Sequence, residues 1–339
     1  MTGHTPELRL RPTPFVSVVV PVYNEERHIR TCLASVLGQD YPQDRYEIIV
    51  ADGGSTDRTR DIVQEIASNH PNVRLIDNTG RTQAAGLNRA ILASSGDFVA
   101  RQDGHAEWTP HHLSRSIELL LQSGADNVGG QQKAIGTTTT GRAIACAMSS
   151  PFGVGGARFR YSQQSEEVTT VFLGTFRRTV FTGAGMFNEA YPPHEDYELN
   201  HRIRARGGRI LYSPDIPVRY HVRESLRELA RQYFLYGRAK VRVAWASPGV
   251  MRPYHLAAPC LVAAVAGTPV FLVTRSGRRL GICAAAAYAA ACVAAGARCT
   301  VREPAAVRLR APFVFPVLHM SWGAGFWIGV FEHRGGPRR

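Results

Sequence analysis

The sequence predicts an α/β protein: one domain on a mostly parallel sheet, then C-terminal transmembrane helices. Three observations predict it. Short β-branched runs alternate with helical patterns through the first hundred residues, the signature of βαβ units with right-handed crossovers. The fourth run, residues 98–101, opens into QDGH, a carboxylate and an imidazole at a strand's carboxyl end, where open α/β sheets bind ligands. The last third of the chain turns to long apolar stretches.

Residues 15–20 (FVSVVV) lie between Pro14 and Pro21 and read as a strand buried on both faces. Asn24 follows as a helix cap with Glu25 and Glu26 in the first turn, and Ile29, Leu33, Val36 and Leu37 keep helical spacing. Residues 47–51 form a second strand, Asp57 caps the next helix, residues 73–76 form a third strand and residues 83–93 a third helix. From 127 to 191 the pattern loosens into polar and glycine-rich segments. A helix carries Glu198, Leu199, Arg202 and Ile203, and residues 210–212 and 218–221 read as two edge strands.

Residues 226–243 are basic, aromatic and amphipathic, as interfacial helices are. Three apolar stretches follow, 255–274, 280–297 and 311–331. A span needs about 20 apolar residues, which the first and third reach. The second, 18 residues long and alanine-rich, reads as a shorter span, with a buried soluble helix as the lesser alternative. The expected layout is a flexible arm at 1–14, the α/β domain at 15–224, an interfacial region at 225–254, a membrane region at 255–331 and a basic tail at 332–339.

The net charge of +13 over 339 residues favours anionic partners. No zinc-finger spacing or compact basic arm points to nucleic acid, so none is expected as a partner. The six cysteines are scattered and read as reduced thiols packed as small hydrophobes. The N-terminus has no apolar signal segment, which places the α/β domain in the cytoplasm.

The blocks VVVPVYNEERHI, VADGGSTDRT, GRTQAAGLNRAI, GDFVARQDGH and HEDYELNHRI, in this order, resemble the family-2 glycosyltransferases. The further blocks SPFGVGGARFR, RQYFLYGRAK and HMSWGAGF are similar to bacterial exopolysaccharide enzymes of the succinoglycan-biosynthesis type. The resemblance implies the GT-A fold, with its Rossmann-like sheet, and an inverting hexosyltransferase acting on a nucleotide-diphosphate sugar. The basic helix and the apolar tail add the expectation of multi-pass attachment to the bacterial inner membrane and of a lipid-linked or glycan acceptor.

Residue by residue, the resemblance places the nucleotide sugar at Pro21, Val22, Tyr23, Glu25, Asp52, Arg81, Asn88, Gln102 and Asp103. Glu25 can accept from ribose hydroxyls or act only as a helix-dipole acid. Asp52 can accept from the base or ribose or serve only its turn. Arg81 suits a phosphate, or stands as a solvated surface arginine. Asp103 matches the last carboxylate of the family's Asp-x-Asp metal motif, while Arg101 stands where the first is usual. Mn²⁺ or Mg²⁺ is implied there, with His105 beside it and His221 either completing the shell or only hydrogen-bonded. Asp196 matches the general base, with Glu195 as a supporting acceptor; a helix N-terminal cap is the alternative for the pair. Gln232 and Tyr233 resemble part of the acceptor motif Gln-x-x-Arg-Trp, though Leu235 and Tyr236 stand at its Arg and Trp positions, and a membrane-surface helix explains the same residues.

Three rival readings make different demands. A sugar nucleotidyltransferase would need a glycine-rich basic loop after the first strand, which VPVYNEERH lacks. A degenerate scaffold would not need Asp52, Asp103 and Asp196 together. A processive synthase would need a longer membrane region.

Overall fold

The computed structural model describes residues 13–271 and 273–334. Most of the expected 1–14 arm and the end of the basic tail lie outside the described residues. The strands and helices appear in chain order as β1 (Val16–Val22), α1 (Ile29–Leu37), β2 (Tyr46–Asp52), α2 (Thr59–Asn69), β3 (Val73–Asp77), α3 (Gln83–Leu92), β4 (Phe98–Arg101), β5 (Ala106–Trp108), α4 (His112–Ser123), β6 (Asn127–Ile135), α5 (Thr139–Met148), α6 (Pro151–Val154), β7 (Glu166–Glu167), β8 (Phe172–Arg177), α7 (Thr179–Gly183), α8 (Glu195–Ala205), β9 (Ile210–His221), α9 (Leu226–Ala246), α10 (Ala257–Ala266), α11 (Thr268–Phe271), α12 (Arg275–Cys299) and α13 (Ala305–Arg334).

The sheet runs β3-β2-β1-β4-β8-β6-β9-β5, with β7 also on β9. Its first half is parallel, as expected. Here every residue of β1 and β2 is buried, because helices cover both faces. Val16, Val18, Val20 and Val22 point into one core with Ile29 and Leu33 of α1, while Val19 points into the other with Leu87 of α3.

The second half corrects the expectation of a mostly parallel sheet: β4–β8, β6–β8, β5–β9 and β7–β9 are antiparallel and only β6–β9 is parallel. The sheet is mixed, and it curls. Residues 102–105 alone connect β4 to β5, a reach of about 17 Å at most. In a flat sheet the two strands, four places apart in the order, would be about 19 Å from each other. The connection also turns back through Ala106 N–H donating to the Asp103 carbonyl at 3.0 Å.

Other expectations shift in detail. Asn24 does not cap α1, which begins at Ile29; it sits at φ 54° and its Oδ1 accepts from Thr56 N–H at 2.8 Å, tying two loops together. The loose region contains β6, α5 and β8. The two edge strands are one strand, β9, and it lies inside the sheet between β6 and β5. Of the cysteines, Cys32 and Cys292 are buried, whereas Cys260 and Cys283 are exposed on the apolar helices.

The tail departs most. Residues 255–274 do not make one span but break into α10 and α11. Among the described residues, the two helices long and apolar enough to cross a membrane are α12 and α13. Helix α12 shows Leu280, Ile282 and Val293 on its outside, and α13 shows Leu309, Phe313 and Phe331. Exposed apolar side chains in such number call for lipid or a partner. The other side of α13 packs along α9 at backbone distance. A Cβ at Gly237 would lie 1.9 Å from the Trp322 carbonyl oxygen, and one at Gly325 would lie 2.0 Å from that of Phe234. Arg238 and Glu332 close this seam with an ion pair at 2.8 Å. Helix α9 is therefore a packed element as well as a surface one.

Candidate active site

A cavity of about 780 Å³ opens behind β4, between α8, α9 and the C-terminal helices. Its polar end carries Arg101, Asp103, His105, Glu195 and Asp196; its other end is mainly apolar, with Leu261, Leu318 and Trp322 beside His255 and the hydrogen-bonded pair Tyr288–His319. Strand β4 delivers Arg101 and the turn after it delivers Asp103. The N-terminus of α8 delivers Glu195 and Asp196, where acids suit the helix dipole.

Arg101 ties these groups together. Its Nε donates to Asp103 Oδ1 at 3.1 Å, and its Nη1 lies 3.3 Å from Glu195 Oε1. Gln83 donates to the same Asp103 oxygen at 3.0 Å. The guanidinium that replaces an expected carboxylate thus bridges the two acidic sites. Burial pushes Glu195 up to about 7, against the pull of Arg101. Burial also raises Asp196, again opposed by Arg101. Both carboxyls are thereby shifted toward the range where a general base works best near neutrality.

Lys240, which the sequence reading missed, sits opposite. It is buried, its Nζ lies 3.2 Å from the centre of the Tyr197 ring, and it lines the same cavity. Burial pulls it down to about 7, with Asp196 opposing. A signal was present. Leu229, Tyr233, Gly237 and Lys240 are all buried on α9 at helical spacing, so the lysine occupies the apolar stripe.

The nucleotide candidates fall into a second group at the carboxyl ends of β1 and β2. Pro21 and Val22 end β1, and Tyr23 is 55% exposed beyond it. Asp52 is buried, accepting from Gly54 N–H (3.1 Å), Ser55 N–H and Oγ (2.5 Å), and Arg60 Nη1 (3.0 Å). The Arg81 guanidinium stands beside Gly54. Asn88 faces another way: it donates to the Phe187 carbonyl and Glu189 and accepts from Phe187 N–H, pinning the segment that leads into α8. Gln102 is buried and donates to the Ala106 carbonyl at 2.7 Å, holding the β4–β5 turn. Glu25 joins the two groups, with Oε1 2.9 Å from His105 Nδ1.

His221 pairs with Glu107 at 2.9 Å and stacks on His28, rather than meeting Asp103. Among the described residues no three His, Cys, Asp or Glu side chains converge as a metal-holding group. The donor set still fits a hard divalent cation held in part by substrate. Asp103 lies on the cavity wall and, among the described residues, no side chain donates to its Oδ2. One carboxylate plus phosphate oxygens and water is a common set for Mg²⁺. Gln232 and Tyr233 both line the cavity. Gln232 Nε2 donates to the hydroxyls of Tyr220 (3.1 Å) and Tyr236 (3.0 Å), and the Tyr233 hydroxyl accepts from Arg160 at 3.2 Å.

Residues 17–182 match the family described as Glycosyl transferase family 2. These residues form a family-2 glycosyltransferase domain. The transferase is 29% identical to the succinoglycan biosynthesis protein ExoA of Rhizobium meliloti, over 94% of this chain and 95% of that one. It is also 29% identical, over 67% of this chain and 73% of the other, to a Methanococcus voltae enzyme named dolichyl N-acetyl-alpha-D-glucosaminyl phosphate 3-beta-D-2,3-diacetamido-2,3-dideoxy-beta-D-glucuronosyltransferase. Among solved structures, a mannosyltransferase of Pyrobaculum calidifontis in complex with GDP-Man and Mn²⁺ superposes with a TM-score of 0.65. It is 19% identical, with 94% of this chain and 88% of that chain covered, which shows that the transferase shares its GT-A-like fold.

Proposed function

We propose that the protein is a membrane-anchored, inverting glycosyltransferase that moves a sugar from a nucleotide-diphosphate sugar to a lipid-linked acceptor in cell-surface polysaccharide synthesis. The observation that carries this reading is the two-ended cavity, with carboxylates at one end and apolar side chains from the C-terminal helices at the other. A soluble acceptor has no need of the apolar end. The Methanococcus voltae relative, whose name gives a dolichyl phosphate-linked acceptor, is in keeping with it. Attachment would run through α12 and α13, with the α/β domain (15–224) on the cytoplasmic face of a bacterial inner membrane.

In the reaction the donor's nucleotide lies along the β1 and β2 ends, over Tyr23, Glu25, Asp52 and Arg81. Asp196 takes the proton of the acceptor hydroxyl. That oxygen forms its bond to the anomeric carbon on the face opposite the diphosphate. The bond from that carbon to the leaving oxygen breaks, its electron pair departs with the nucleoside diphosphate, and the anomeric centre inverts. Asp103, with His105 beside it, would hold a Mn²⁺ or Mg²⁺ ion that neutralises charge on the leaving diphosphate. Arg101 Nε and Gln83 Nε2 hold the Asp103 carboxylate in place through its Oδ1.

The test is transfer to membrane acceptors with a panel of sugar nucleotides, with Mn²⁺, Mg²⁺ or chelator. One donor should be consumed, chelator should abolish turnover, and Asp196→Asn should lose about 10²- to 10⁴-fold in rate while still binding nucleotide. Full activity in Asp196→Asn would remove Asp196 from the reaction. Absence of sugar-nucleotide binding by the wild type would remove the transferase activity itself.

A further inference from the structure

Among the described residues the cavity's cations divide by partner. Arg101 is matched by Asp103 and Glu195, and Lys240 faces Asp196. No carboxylate pairs with Arg160 or Arg223 among the described residues. Arg223 bears on His105, at the donor end. Arg160 is different. It follows the glycine-rich segment after α6, lies half-buried on the cavity wall over the Phe159 ring, and donates to the Tyr233 hydroxyl. The Tyr233 ring belongs to the apolar cluster that includes Phe315 and Leu318 of α13. Arg160 therefore stands at the seam between the polar and apolar ends. Next to Tyr233, Gln232 has a buried Oε1 with no donor among the described residues, although its amide nitrogen is doubly used.

We propose that Arg160, seated on Tyr233, binds the phosphate of an amphiphilic acceptor whose hydrocarbon chain lies along Leu261, Leu318 and Trp322. This rests on the reading of the acceptor as lipid-linked, and it names the group that recognises it. A guanidinium half out of water beside an apolar wall gains most from an oxyanion that its planar fork can hold. A long apolar cavity gains from an alkyl or prenyl chain. A ligand with phosphate at one end and chain at the other satisfies both, and Gln232 Oε1 remains to accept from a hydroxyl of the sugar it carries.

The test needs no sugar transfer, so its failure is separable from failure of the transferase reading, which the donor assay reports. The full chain in detergent micelles is titrated with farnesyl phosphate, farnesol and inorganic phosphate, and separately with UDP and GDP. Wild type should bind farnesyl phosphate about tenfold or more tighter than either other probe, as an ionic hydrogen bond implies. Arg160→Ala should erase that preference and leave nucleotide binding unchanged. Arg160→Lys should restore part of it, and Tyr233→Phe should weaken it less than Arg160→Ala. Retained preference in Arg160→Ala overturns the proposal. So does an equal loss of nucleotide binding, which would assign Arg160 to the donor, and so does inorganic phosphate binding as tightly as farnesyl phosphate. If Arg160→Ala does not fold, the lysine and phenylalanine variants decide by the same two readouts.

Discussion

The rim at the ends of β1 and β2 and the cavity behind β4 both gather polar side chains, but they treat hydrogen bonds in opposite ways. At the rim the loops consume what they present. Asp52 accepts from its own turn and from Arg60, Asp57 from Thr59 and Glu26, and Asn24 from Thr56. In the cavity, Arg101 Nη1, Glu195 Oε2, Gln132 Oε1 and Gln232 Oε1 are buried and lack hydrogen-bond partners among the described residues. Native proteins pair nearly all such atoms, and these four line a cavity where substrate atoms can supply the missing partners, whereas others, Asn78 Oδ1 near the rim and Asn127 Oδ1 among them, lie outside it. The rim is shaped in advance, whereas the cavity is completed by what enters it.

The largest effect on this contrast should come from Arg101→Met. The side chain is almost the right length, but it leaves Asp103 and Glu195 without the cation that compensates them. Removing one partner of a buried charge network costs about 3–5 kcal/mol. Tm should fall by several degrees or more. Since Arg101 opposes the rise of Glu195 and Asp196, both carboxyls should also bind protons more readily. Transfer at neutral pH should fall with them. An unchanged Tm would mean that Arg101 is spare, and that the cavity's charges are balanced elsewhere.

The sequence made the rim and the parallel half of the sheet legible because those residues answer to local rules. Strands buried on both faces read as short apolar runs, and β1, β2 and β4 appear where such runs lie. The mixed half answers to neighbours instead. Strand β6 begins NVGG because backbones crowd it: a Cβ at Gly130 would lie 1.6 Å from the Ile216 carbonyl oxygen. Glycine demanded by close approach looks, in sequence, like glycine of a loop. Strand β9 looked like two pieces because Pro214 and Pro217 interrupt it, and its pairing with β6 shifts register there. The tail misled by composition. Residues 255–274 are apolar enough to span yet carry Pro259, Gly267 and Pro269, and they break into short helices. Glu195, Asp196 and Asp103 stood out as acids at element ends. Lys240 did not, since a lysine in a basic helix invites the surface reading until its position on the buried stripe is counted.

A smaller effect isolates Lys240. Asp196 meets the charges of Arg101, Asp103 and Glu195 as well as Lys240, and the lysine's charge lowers the Asp196 pKa. A base must be deprotonated to act, so activity should fall as pH drops through the raised carboxyl values. Lys240→Met removes a cation, so Asp196 should hold its proton to higher pH. The acid limb of kcat/KM against pH should move upward by up to about one unit. Because Lys240 itself stands near 7, the two profiles should draw together above that pH. A limb that stays in place, or moves down, would separate Lys240 from the base.

The smallest effect should come from the rim, with Asp52→Asn. The substitution keeps an oxygen for Gly54 and Ser55 and loses one negative charge next to Arg60, which is about one-third exposed and also paired with Asp77 at 2.8 Å. An ion pair open to solvent on one side contributes about 0–1 kcal/mol. Tm should therefore move by no more than about 4 °C. With its oxygens already engaged by the loop, Asp52 has little to offer a nucleotide beyond the loop's shape, so donor KM should rise less than about tenfold. A larger rise at unchanged Tm would show Asp52 reaching the nucleotide directly. The rim would then resemble the cavity, with partners exchanged on binding rather than fixed beforehand.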